Sequence, residues 1–98
     1  MTIADLISAV IADVLSIVGE DHGASGAVVA LWISGKLYSD EWDSFDGMAI
    51  AVVHAATTRW LVKGVVYGGE EPFSPTWHRT LDLALAKFHQ LAQEYNVT

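Results

Sequence analysis

MAIAVVHAA, residues 48–56, admits two readings, and the fold turns on the choice. With a period of two, Met48, Ile50, Val52 and His54 share one face, and Ala49, Ala51, Val53 and Ala55 share the other. With a period of 3.6, Ser44 caps a helix that turns Phe45, Met48, Ala49, Val52 and Val53 inward. Alanine favours the helix, whereas the β-branched cluster favours the strand. We take the strand, and the helix stands as its alternative.

Strands flank this segment on both sides. RWLVKGVVY, residues 59–67, is rich in valine and aromatics and is closed by Gly68 and Gly69. Upstream, after the stretch GEDHGASG, comes AVVALWIS, a continuous apolar run of strand length. Ser34, Gly35 and Lys36 read as a tight turn into LYSDEW, which predicts a β-hairpin over residues 27–42.

A helix is expected at each end of the chain. Ile3, Leu6, Ile7, Val10, Ile11, Val14, Leu15 and Val18 recur at three- and four-residue spacing over residues 3–18. Thr2 suits the N-cap, Asp5 suits the positive end of the dipole, and Gly19 is placed to stop the helix in a left-handed cap. Near the other end, Ser74 reads as an N-cap with Pro75 at the first helical position. Trp77, Leu81, Ala84, Leu85, Phe88, Leu91 or Ala92, and Tyr95 form the inward stripe. The predicted order is α-β-β-β-β-α. The expected fold is α+β, a two-layer sandwich in which an antiparallel sheet of about four strands carries both helices on one face.

At 98 residues the chain reads as a single acidic domain, residues 1–98, with an expected radius of gyration of roughly 13 Å. Hydrophobic residues make up 52% and charged residues 17%, enough apolar surface to build a core and too little charge for disorder. Cysteine is absent, so disulfides and thiolate metal sites are excluded. The apolar N-terminal stretch lacks a basic leader and is interrupted by Asp5 and Asp13, so neither a signal peptide nor a membrane span is expected. A cytoplasmic protein is the natural reading.

The net charge of -7 is unevenly spread. Residues 1–58 hold eight acids (Asp5, Asp13, Glu20, Asp21, Asp40, Glu41, Asp43, Asp46) against one base, Lys36. Residues 59–98 hold four of each sign. Direct nucleic-acid binding, which depends on a basic footprint, is therefore disfavoured, and an acidic field attracts basic surfaces instead.

The four histidines, His22, His54, His78 and His89, show no H-E-x-x-H spacing, and His78 and His89, both assigned to the last helix, stand about 16 Å apart along it. Neither a metal nor a cofactor is expected. The acidic loop fails as a calcium loop: from Asp43, positions 3 and 5 are Phe45 and Gly47, and from Glu41, position 5 is Phe45. No G-x-S-x-G occurs, no Gly-Lys-Ser/Thr follows the glycines, and a small domain leaves little room for a deep cleft between paired carboxylates. No enzymatic activity is expected.

What remains is SDEWDSFD, residues 39–46, four carboxylates around Trp42 and Phe45. It reads either as a solvated turn or as a binding surface. On an extended segment alternate side chains project together about 6–7 Å apart, so Glu41 and Asp43 would share a face at a spacing like that of successive phosphates. Trp42 would supply the anchor and the acids the steering. The expected contact residues are Asp40, Glu41, Trp42, Asp43 and Asp46, with Glu20 and Asp21 as second choices.

In size, charge and lack of catalytic motif the chain resembles small acidic phage inhibitors of the anti-CRISPR and anti-restriction kind. The resemblance carries over no individual residue. It implies a non-enzymatic inhibitor of a basic, nucleic-acid-binding protein complex, working in the host cytoplasm by steric block or nucleic-acid mimicry. Two rivals stand beside it. One is an immunity protein or antitoxin against a basic nuclease. The other is a self-associating structural or accessory subunit, a homodimer formed through a sheet face exposing Trp32, Trp60 and Tyr67.

Overall fold

In the computed structural model, residues 3–23, 25–37, 45–67 and 72–96 are described. The elements run α1 (Ile3–His22), β1 (Ala27–Leu37), β2 (Phe45–Ala56), β3 (Arg59–Tyr67), β4 (Thr76–His78) and α2 (Leu81–Asn96). The four strands form one antiparallel meander in the order β1-β2-β3-β4. The α+β class and the α-β-β-β-β-α order match the expectation. The radius of gyration is 13.2 Å, close to the value expected for a folded chain of this length.

Residues 48–56 are strand, and both faces they present are dry. Ala49, Ile50, Ala51, Val52 and Val53 are all at most 1% exposed. Ala49, Ala51 and Val53 pack with Leu6, Val10, Val14 and Val18 of α1 and with Leu61 and Val65 of β3. Ile50 and Val52 pack with Val62 and with Ala84, Phe88 and Leu91 of α2. The helices therefore cover opposite faces, which corrects the two-layer arrangement with both helices on one side. An antiparallel strand wetted on one face alternates apolar with polar; β2 has no polar set, so each of its faces needs a helix.

Three local expectations are also corrected. Ser34, Gly35 and Lys36 are not a turn but the lower part of β1, paired in register with Met48, Gly47 and Asp46. Among the described residues β1 pairs with β2, so the predicted hairpin over 27–42 does not turn at 34–36; its residues 38–42 lie outside the described residues. Helix α1 continues past Gly19 to His22; the left-handed residue is Gly23, φ 61°, whose N–H donates to the Gly19 carbonyl at 3.1 Å. Ser74 and Pro75 precede β4, not a helix. Thr80 is the cap of α2: its Oγ1 accepts from the Leu83 N–H at 3.2 Å.

The β2–β3 connection is Thr57-Thr58, with no positive φ at either residue. The register shift between His54 and Ala56 makes Ala55 a bulge, which supplies the strand twist that a two-residue turn otherwise takes from left-handed residues.

Candidate functional site

Of the seven acidic-surface residues, Asp40, Glu41, Trp42 and Asp43 lie outside the described residues. The other three are placed on two sides of the molecule. Asp46 is exposed near the start of β2, with Lys36 opposite it in the β1 register. Its even position puts it on the α2 side of the sheet, with Ile50 and Val52. Glu20 and Asp21 belong to the last turn of α1, on the other side.

Asp21 also has an internal role. Its Oδ2 is 3.9 Å from the ammonium of Lys63, a residue only 4% exposed. Lys63 stands opposite Ala51, five residues along β2 from Asp46, or about 17 Å. That span exceeds the screening length of about 8 Å at physiological salt, so Asp46 and Asp21 act as separate charges. Asp13 is likewise engaged: Tyr67 Oη donates to its Oδ2 at 2.9 Å. Burial, this hydrogen bond and the nearby negative charge together push the Tyr67 phenol well above its ordinary value of 10.0.

The fold assembles a second cluster that the spacing arguments missed. Strand register sets His54, Trp60 and His78 in a row across β2, β3 and β4 on the α2 face. The rings of His54 and Trp60 stack at 3.8 Å and 7°. His78, here on β4 and not on the last helix, shares a 2.8 Å hydrogen bond with Thr76 Oγ1. On the opposite face the Arg59 guanidinium lies 4.2 Å from the Trp77 ring centroid, and His22 meets Trp77 edge-on at 5.9 Å. The two-residue spacer Thr57-Thr58 alone would set Ala55 opposite Trp60; the bulge at Ala55, which no local signal marks, brings His54 there instead. His54 thus stacks on Trp60 on one face of the sheet, and Arg59 and His22 meet Trp77 on the other.

Among the described residues no three histidine, aspartate or glutamate side chains come together as a metal site. A cleft of about 190 Å³ is lined by Ile17, Asp21, Lys63, Gly64, Val65 and Val66. It falls below the roughly 300–1,000 Å³ of small-molecule sites. No helix among the described residues is long and apolar enough to cross a membrane. Comparison with protein-family models, with curated proteins and with solved structures gave no match.

Proposed function

We propose that the chain is a small acidic, non-enzymatic inhibitor that binds a basic, nucleic-acid-binding surface of a partner protein in the cytoplasm, by steric block or nucleic-acid mimicry. The observation that carries this reading is the segregation of charge: eight acids against one base in residues 1–58, within a net charge of -7. Asp13 and Asp21 are engaged with Tyr67 and Lys63, and Asp40, Glu41, Asp43 and Asp46 stand within seven positions of one another, the densest charge in the sequence. Trp42 is the anchor among them. Glu20 and Asp21, on the other side of the sheet, are a separate and weaker contact.

The test is an affinity capture with two baits, wild type and a variant carrying Asp40→Asn, Glu41→Gln, Asp43→Asn and Asp46→Asn. These changes keep shape and remove four charges, and they leave Asp21, with its structural role beside Lys63, untouched. Capture of one basic nucleic-acid-binding complex by the wild type alone is the expected result. Equal capture by both baits places the contact elsewhere and defeats the assignment to residues 40–46.

A further inference from the structure

The two edges of the sheet are unlike. The β4 edge is three residues long, preceded by Pro72 and Pro75, with the Arg59 guanidinium over Trp77; brevity, proline and charge are the usual protections of an edge. The β1 edge is eleven residues long, and Ala27–Gly35 contains no charged residue. Among the described residues its protections are the bulge between Val28 and Ala30 and, near its end, Lys36; below the bulge Ala30–Leu37 stays in unbroken register with β2 over roughly 27 Å. Among the described residues no strand pairs its outer side.

Burial tells the same story. Val28 and Ala30 to Ile33 are as apolar as their partners on β2, yet each is only half-buried, and Val29 is 47% exposed. What β2 has and β1 lacks is a neighbour on each side. Helix α1 reaches the same border. Asp13 turns toward Tyr67 of β3, so Ile11 and Leu15, each about half a turn from it, face the β1 side, both half-buried.

We propose that a second copy of this chain pairs antiparallel with Leu31–Leu37 of β1, about a two-fold axis normal to the sheet that passes beside Ser34. Charge selects this occupant. A basic partner finds no acid along Ala27–Gly35, and an acidic one finds only Lys36 near its end. Two copies at -7 repel wherever their acids face each other, but here each offers the other an apolar strand without an acid, whose one charge is Lys36. The two-fold keeps both α1 helices on one face, so their Ile11 and Leu15 flanks approach across the axis, and the two four-stranded sheets become one. The homodimer forms through an edge, since Trp32 and Trp60 of the face once expected to be open lie under α2 and Tyr67 lies on the opposite, α1 face.

The chain has no cysteine, so single cysteines report the pairing directly. Sedimentation equilibrium of the wild type should give twice 10.6 kDa, and oxidation of Ser34→Cys, at the axis, should give a covalent dimer. A cysteine at the exposed Gln90 on α2 should give none. Ser34→Lys places two ammonium groups across the axis at an exposed position and should weaken the dimer by roughly tenfold or more while the monomer keeps its unfolding midpoint. The variant neutralised at 40, 41, 43 and 46 should dimerise as the wild type does, which separates this result from the partner-binding test. A wild type that stays monomeric at every concentration, or a dimer that crosslinks at Gln90 and not along β1, overturns the proposal.

Discussion

A β-carbon added at Gly26 would run into the His54 carbonyl oxygen, so the chain enters β1 at a separation from β2 that only glycine allows. Gly26→Ala should lower the unfolding free energy by about 1–3 kcal/mol in urea titrations, although alanine is otherwise benign at an exposed position. Tyr67 makes a different prediction, one with a pH signature. Its folded phenol holds its proton above the ordinary value of 10.0, so its contribution is complete below about pH 10 and is lost as pH rises beyond it, where the unfolded phenol ionises first. Tyr67→Phe should cost about 1 kcal/mol at neutral pH, and the stability gap between the two proteins should close on the alkaline side. A gap that stays constant to high pH would deny the Tyr67–Asp13 bond. Neither feature was legible in the sequence. Asp13 and Tyr67 are 54 positions apart, and the demand on Gly26 arises only when β1 meets β2.

Elements were legible where local pattern and tertiary packing agree. The period-two reading of residues 48–56 holds because both of its faces are apolar, and RWLVKGVVY is β3 from its first residue to its last. Reading failed where two local signals competed. Ser34-Gly35-Lys36 has turn composition, yet its pairing with Met48, Gly47 and Asp46 keeps it in the ladder. Ser74-Pro75 has the chemistry of a helix start, but three residues beyond it are drawn onto the β3 edge, and the helix waits for Thr80. The two candidate caps can be told apart. Thr80→Ala should cost about 1 kcal/mol in thermal or urea unfolding, whereas Ser74→Ala should be close to neutral. The reverse order would put the helix start back at Ser74.

For the whole molecule, the lesson of β2 is that a strand with no polar face asks for a cover on each side. Its sequence already said so: Ile50 and Val52 on one face and Ala49, Ala51 and Val53 on the other leave no side for water. Placing both helices on one face ignored that demand. The same correction removes the open sheet face and leaves β1, among the described residues, as a border with no strand on its outer side. Charge segregation was readable from composition, but its layout in space was not: Asp46 lies on the α2 side, and Glu20 and Asp21 follow α1 to the other. The most direct measurement of the proposed function is therefore the association rate of the wild type with its captured partner as a function of ionic strength. Steering by Asp40, Glu41, Asp43 and Asp46 predicts a rate that falls steeply with salt and a neutralised variant whose rate is low and nearly flat. A wild-type rate indifferent to salt, matched by the neutralised variant, would contradict it.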